Sequence, residues 1–329
     1  MTTGLRRVGP GFVLLCLGAL TAHVLSTFIG INELLLAIGI GIILTNTVGI
    51  PERFQHGTET YRIWLAAGIV LLGSSLTAGM LVETGGTVLV LLVATVTITL
   101  ITVELIARNV AGVGHRLGSL LAAGAGVCGV SAVAAVGQAV RAREVHIAYA
   151  AGVVLLVDAV TIVVYPIIGS LLDLPDVVFG VWAGVSMLST GPTVAVGFAH
   201  SELAGQWATT TKLARNALIG VVVLGYASYY ARRGESGSPS ARMLWESVPK
   251  FIFGFIILAV LASVGAFSPE QQESLANAVN WLFLLAFVGL GTEIGAENIR
   301  KTGVAPVLTV LTAFVVVSAL SLMAALAVL

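Results

Sequence analysis

The sequence predicts an all-α polytopic membrane protein, and three observations lead to this fold class. Hydrophobic residues make up 57% of the 329 residues and charged residues only 10%, whereas soluble domains carry about 25% charged residues. Apolar runs of about 20 residues, long enough to cross a hydrocarbon core of about 30 Å, recur along a chain whose mean hydropathy is +1.03. The links between these runs are short, except for 231–247. We therefore expect a multi-pass protein of the cell membrane.

The apolar runs predict about eleven transmembrane helices. Their approximate ranges are 10–28, 33–49, 61–80, 86–106, 117–140, 146–170, 177–199, 208–230, 249–267, 277–293 and 303–329. Because only one link is long, the helices are expected to form a single membrane transport domain covering 1–329, with a loop at 231–247.

Basic residues predict the orientation of these spans. With the amino terminus in the cytoplasm, twelve of the sixteen Lys and Arg residues fall on the cytoplasmic side, as the positive-inside rule requires. This bias predicts an N-in/C-out topology and a cytoplasmic loop at 231–247. The four exceptions are Arg141, Arg143, Lys212 and Arg215. They are expected either to snorkel at helix ends or to draw an anion towards the outer mouth of a site.

The fifth span, 117–140, is built mostly from small residues. Gly124, Gly126 and Gly129 lie close together, with Cys128 and Ser131 beside them. Small residues allow another backbone or a ligand to come close, and clustered glycines weaken a helix locally. We predict an interrupted helix that forms one arm of a binding site.

The seventh span is the second unusual one. Its centre contains Ser186, Ser189, Thr190, Gly191, Pro192 and Thr193. Proline removes a backbone donor, and in a membrane the freed groups must be satisfied by protein or by a water-filled cavity. A simple proline kink closed by hydroxyl groups is the alternative. Together with the fifth span, the segment predicts a transporter, because paired interrupted helices mark transporter binding sites.

A short internal repeat agrees with a transporter. The segments that begin at Gly68 and Ala286 each contain an apolar run, a polar turn with glycine, and a second apolar run. The first copy covers the third and fourth spans, and the second covers the tenth and eleventh. The two copies would have opposite orientations, as in an inverted repeat.

Three polar residues inside predicted spans are further candidates. Asp158 lies near the middle of the sixth span, where a carboxylate is costly and by default functional. It is the candidate for proton coupling, and a hydrogen-bonded structural Asp is the alternative. Asn46 in the second span and Glu293 at the end of the tenth could line a cavity or serve only helix contacts.

The sequence contains no motif of an enzyme, a cofactor site or a metal site. Cys16 and Cys128 both lie in apolar runs, so neither a disulfide framework nor a metal-ligand spacing is present. The formal net charge is zero, which gives no reason to expect nucleic-acid binding. The expected partners are a small anion and the lipid bilayer, and the sequence also allows a homodimer.

An ordered set of stretches resembles the YeiH-like family of proposed sulfate exporters. The segment GAGVCGVSAVAAV at 124–136 is similar to the family's Ser-Ile-Cys-Gly-x-x-Ala signature. Further similar stretches are the Thr-Asn-Thr around Asn46, 68–77, 211–219, 248–263 and 289–308. The resemblance implies an inner-membrane secondary transporter related to cation–proton antiporters and bile-acid symporters, with two inverted repeats and broken helices that cross at the site. Sulfate is the family's proposed substrate.

The chain departs from this family in the seventh span. Many members carry a His-Glu pair that aligns with Leu188 and Ser189, and here the pair is absent. Substrate or coupling can therefore differ from those of the family, and Asp158 could take over proton coupling.

These features predict alternating access around a site at the membrane midplane. The expected substrate-binding residues are Gly126, Cys128, Gly129 and Ser131 from one interrupted helix and Ser189, Thr190 and Thr193 from the other. Exposed amides at the amino-terminal ends of half-helices can hold an anion. The secondary candidates are Asn46, Glu293, Arg141, Lys212 and Arg215. The alternative functions are a channel and a membrane scaffold that binds partner proteins without transport.

Overall fold

The computed structural model describes residues 2–75, 78–234, 245, 248–295 and 304–329, and the regular structure within these ranges is entirely helical. The helices are α1 (Thr2–Ile29), α2 (Glu33–Thr47), α3 (Glu52–Thr58), α4 (Tyr61–Leu72), α5 (Ala78–Leu105), α6 (His115–Gly126), α7 (Val130–Ala139), α8 (Glu144–Leu171), α9 (Asp176–Ser186), α10 (Thr190–His200), α11 (Glu202–Ala217), α12 (Ile219–Arg232), α13 (Phe251–Ser263), α14 (Pro269–Glu293) and α15 (Val304–Val328). A 3-10 turn, Gly73–Ser75, follows α4, and a π-helical turn, Ile106–Val110, ends α5.

The chain divides into two compact units. The first comprises Met1–Glu83 and Lys250–Ala296, and the second comprises Thr84–Pro249 and Glu297–Leu329. The two units are built from segments distant in sequence. The single transport domain that the sequence predicts, covering both units, stays a prediction.

Within the described residues, five segments are long and apolar enough to cross a membrane. They are Val8–Ile29, Gly85–Val110, Glu144–Leu171, Pro269–Glu293 and Ala305–Val328. These correspond to the predicted first, fourth, sixth, tenth and eleventh spans. The total of about eleven spans and the N-in/C-out topology stay predictions.

Several helix boundaries differ from the expected ones for local reasons. The predicted tenth span begins at 277, whereas α14 begins at Pro269, because Ser268 and Gln271 form a capping box. The predicted eighth span, 208–230, is divided between α11 and α12. Helix α11 already begins at Glu202, since the Ser201 hydroxyl accepts a hydrogen bond from the Ala204 amide at 3.0 Å.

In the first unit, α14 packs along α2 and α4. A Cβ atom placed on Gly41 would lie 2.8 Å from the Cα atom of Gly291. The two helices therefore approach closely through paired glycines, as small residues allow in membrane proteins.

In the second unit, α11 packs along α9 and α10, and α8 packs against α6, α7, α10 and α15. Gly180 and Gly184, four residues apart on α9, face α11. A Cβ atom at these positions would lie 2.7 Å from the Trp207 Cβ atom and 2.6 Å from the Thr211 Cβ atom, respectively. This small-xxx-small spacing brings α9 against α11, and it is this contact that positions the site described below.

Two predicted features fall largely outside the described residues. The loop at 231–247 is described only at 231–234, where α12 ends, and at 245. Parts of both repeat copies, at 76–77 and 296–303, are also outside the description. The inverted repeat therefore stays a prediction.

Candidate functional site

The fifth span is interrupted at Val127–Gly129, which we call the first interruption. Helix α6 ends at Gly126 and α7 begins at Val130, so the predicted break is confirmed. Gly129 has a φ angle of +69°, and a Cβ atom at this position would overlap the hydroxyl group of Ser189. Only glycine provides both this backbone conformation and this close approach.

The seventh span is interrupted at Met187–Ser189, the second interruption. Helix α9 ends at Ser186 and α10 begins at Thr190. Pro192 lies in the first turn of α10, where a missing N–H group is tolerated. The alternative of a proline kink within a continuous helix is therefore wrong. The break precedes the proline, and the hydroxyl group of Thr193 closes the first turn by donating to the Ser189 carbonyl at 2.7 Å.

Lys212 on α11 links the two interruptions and is fully buried. Its Nζ atom donates to the carbonyl oxygens of Val127 at 3.0 Å, Met187 at 2.7 Å and Leu188 at 2.5 Å. Three acceptors require three N–H groups, which only the charged ammonium form has. The Leu188 carbonyl is available because residue 192, whose amide a continuous helix would offer to it, is a proline.

Arg215, one turn further along α11, is also fully buried. Its Nε atom donates to the Gly126 carbonyl at 2.8 Å, Nη1 donates to the Met187 carbonyl at 2.6 Å, and Nη2 donates to the Ala125 carbonyl. The last carbonyls of a helix lack intrahelical donors and carry partial negative charge. Lys212 and Arg215 thus cap the carboxyl-terminal ends of α6 and α9.

The expectation that these two cations snorkel at a helix end is wrong, because both are fully buried against the interrupted helices in the second half of α11. That they draw an anion towards an outer mouth of the site stays a prediction. Arg141 and Arg143 are exposed at the turn between α7 and α8.

Asp158, in the middle of α8, is 2% exposed. Its Oδ1 atom accepts a hydrogen bond of 3.1 Å from the Ser189 amide, at the amino-terminal end of α10. Helix amino termini carry partial positive charge, so the carboxylate complements this end as the two cations complement the opposite ends. Within the described part of the chain, the buried Oδ2 atom has no hydrogen-bond partner.

Asn216, next to Arg215, is a site residue that the sequence analysis missed. Its Nδ2 atom donates to the Thr190 hydroxyl at 2.9 Å, and its buried Oδ1 atom has no partner among the described residues. The signal for it was the spacing of Lys212, Arg215 and Asn216, since residues three and four apart share one face of a helix.

The other predicted binding residues at or beside the first interruption are small. The Ser131 hydroxyl lies 3.0 Å from both the carbonyl oxygen and the Sγ atom of Cys128, which is buried, whereas Ser131 is exposed. Gly126 contributes its carbonyl to Arg215. Of the predicted substrate-binding residues, the structure thus brings 126–131 and 189–193 together in the second unit.

Asn46 and Glu293 lie in the first unit. Asn46 Nδ2 donates to the carbonyls of Ile42 at 2.8 Å and Ile294 at 2.9 Å, and Glu293 pairs with Arg62 at 3.3 Å. Asn46 therefore supports the backbone just beyond the end of α14.

Comparisons with known proteins identify the family. The family model described as Conserved hypothetical protein 698 matches residues 10–310. A UPF0324 membrane protein of Nitratidesulfovibrio vulgaris is 32% identical over 310 residues, covering 89% of this chain and 86% of the relative. The UPF0324 membrane protein TauZ of Paracoccus denitrificans is 28% identical over 306 residues, covering 92% and 90%.

Among solved structures, the sodium proton antiporter MjNhaP1 from Methanocaldococcus jannaschii is 14% identical and covers 97% of this chain and 98% of its own, with a TM-score of 0.31. A TM-score of this size does not establish a common fold. The family model and the relatives, by contrast, extend over most of the chain, agree with the YeiH-like resemblance and confirm the multi-pass membrane location. The chain is a member of the Conserved hypothetical protein 698 family of UPF0324 membrane proteins.

Proposed function

We propose that this protein is a secondary active transporter that moves a small anion, sulfate or a related inorganic or organic anion, by alternating access, with the proton as its coupling ion. The observation that carries the proposal is the charge buried at the two interruptions. Lys212 and Arg215 contribute two positive charges, and Asp158 contributes one negative charge.

The half-helices do not remove this excess charge. Each carboxyl-terminal end carries about −0.5 elementary charge and each amino-terminal end about +0.5. The ends of α6 and α9 are therefore offset by those of α7 and α10, and the described site keeps a net charge near +1. Burying such a charge is costly unless a counter-ion accompanies it, and a small anion is a suitable counter-ion.

The amino-terminal ends of α7 and α10 supply donors for this anion. The first amides of a helix have no intrahelical acceptor, and Ser131, Ser189 and Thr190 add hydroxyl groups at these ends. Cys128, Gly129 and Thr193 would then shape the turns that present these donors. Gly126 has its carbonyl bound by Arg215, so we assign it to positioning of the cation.

Counterflow in proteoliposomes tests the proposal. Vesicles loaded with unlabelled sulfate should transiently accumulate labelled sulfate, and this exchange should saturate. A channel would only let the label equilibrate, and a scaffold protein would leave the vesicles impermeable.

The anion is selected beforehand by a thermal-shift screen of inorganic anions and organic acids, because a ligand of the folded state raises its stability. Arg141→Gln, at an exposed position, is the matched control and should exchange anions like the wild type. If no anion in the screen stabilises the protein or exchanges, the proposal is wrong.

A further inference from the structure

We propose that Asp158 is an internal substitute for the transported anion. Its carboxylate occupies the amino-terminal end of α10 while no substrate is bound, and a substrate anion takes this place only when Asp158 has accepted a proton and withdrawn. This inference rests on the proposed function. It adds how proton uptake is coupled to substrate binding, and which charge the substrate carries.

The geometry places the carboxylate where the anion should bind. Asp158 Oδ1 lies 3.1 Å from the Ser189 amide, which begins α10. An amide N–H group with one acceptor at this distance cannot serve a second anion equally well. Substrate and carboxylate therefore compete for the same end of the helix.

The other carboxylate oxygen is suited to receive a proton. Asp158 Oδ2 is buried and has no donor within the described chain, and a buried charged oxygen without a hydrogen bond is unfavourable. Asn216 Oδ1, also without a partner there, lies on a side chain that contacts Thr190, next to Ser189. On the proposal, this oxygen accepts the O–H group of a protonated Asp158.

The charged groups around Asp158 are few. Lys212 and Arg215 on α11 interact electrostatically with Asp158, and both also interact with the thiol of Cys128 in the first interruption. Helix α6 has His115 and Arg116 only in its first turn, and α10 has His200 only at its end. Helices α7 and α15 carry no ionisable side chain. Within these elements, Asp158 is the acidic group closest to the substrate position.

The charge balance favours a dianion. With Asp158 ionised, the site carries two positive charges and one negative charge. A proton taken from water bonds to the carboxylate and leaves two positive charges, which a dianion neutralises completely and a monoanion only in part. Sulfate is a dianion throughout the neutral and mildly acidic range, so any pH dependence of its binding belongs to the protein.

Binding of labelled sulfate to the purified full-length protein tests the inference. One proton taken up with each sulfate should lower the affinity by up to about tenfold for each unit of rising pH. Asp158→Asn keeps the shape of the protonated side chain and cannot ionise. We expect its affinity to be independent of pH and, in alkaline solution, higher than that of the wild type.

Thr161→Val is the matched control. The Thr161 hydroxyl donates to the Asp158 backbone carbonyl at 2.9 Å, so the substitution alters the same turn of α8 but keeps the carboxylate. It should keep the wild-type pH dependence. The same pH dependence in Asp158→Asn would overturn the inference.

A second measurement uses only the wild-type protein. It tests the role of Asp158 even if Asp158→Asn does not fold. Adding sulfate to the wild-type protein in weakly buffered alkaline solution should take up about one proton for each sulfate bound. Binding without proton uptake would overturn the inference while the proposed anion function stands. If neither sulfate nor any screened anion binds at any pH, the proposed function itself fails.

Discussion

Lys212→Met removes the ammonium group that joins the two interruptions while keeping a side chain of similar length. Three backbone carbonyls lose their hydrogen bond from Lys212. The Met187 carbonyl still accepts a 2.6 Å hydrogen bond from Arg215. The carbonyls of Val127 and Leu188 are therefore the two that lose their side-chain donor. We expect the substitution to destabilise the folded protein strongly.

The magnitude follows from these two carbonyls. A buried polar group left without its partner costs about 1–3 kcal/mol, which gives about 2–6 kcal/mol for the pair. Removing a buried charge also removes its desolvation cost, which offsets part of this loss. Breaking a buried charged contact from one side typically costs about 3–5 kcal/mol, and we expect a value in this range.

Thermal and denaturant unfolding of the purified protein in detergent measure the effect. Arg143→Met is the matched control, because it removes one positive charge from an exposed position of the same unit. Exposed substitutions usually change stability by no more than about 0.5 kcal/mol. If Lys212→Met is as mild as this control, Lys212 does not hold the interruptions together and the reasoning about buried charge fails.

Two further substitutions test the packing of the site. Gly129→Ala forces a side chain into a left-handed turn and against the second interruption, so we expect a loss of about 1–3 kcal/mol and of anion exchange. Gly225→Ala in α12, where a Cβ atom meets nothing within 4 Å, should be neutral or stabilising, and equal effects of the two would contradict the turn argument. Tyr165→Phe removes hydrogen bonds of 2.7 and 2.8 Å to Ser186 and Ser318, and its melting curve should show a loss of about 1–3 kcal/mol for the two bonds. An unchanged melting curve would mean that this hydroxyl group does not stabilise the fold.

The interruptions could be predicted from the sequence because their causes are local. Gly129 allows a backbone conformation that other residues disfavour, and Pro192 cannot donate to the carbonyl four residues before it. Such signals act within one or two turns. The same locality explains the error in the seventh span, since a proline can mark either a kink or the start of a new helix, and only the extended backbone of Ser189 decides between them.

The burial of Lys212 and Arg215 could not be predicted in the same way. Their partners are backbone carbonyls, which every residue has and no residue type identifies. In the sequence the two cations stand at the edge of an apolar run, where snorkelling is the common outcome. The pairing of Asp158 with the Ser189 amide is hidden for the same reason.

The carboxyl-terminal and amino-terminal helix ends in this site are held by different numbers of side-chain hydrogen bonds. Lys212 and Arg215 together donate six hydrogen bonds to the carbonyls at the carboxyl-terminal ends. At the start of α10, Asp158 accepts one from the Ser189 amide. Releasing the cations would expose several carbonyls at once, whereas releasing Asp158 frees only its contact with Ser189, and a proton can compensate for this loss. Ligand exchange is therefore expected at the amino-terminal ends, while the cations keep the interruptions assembled.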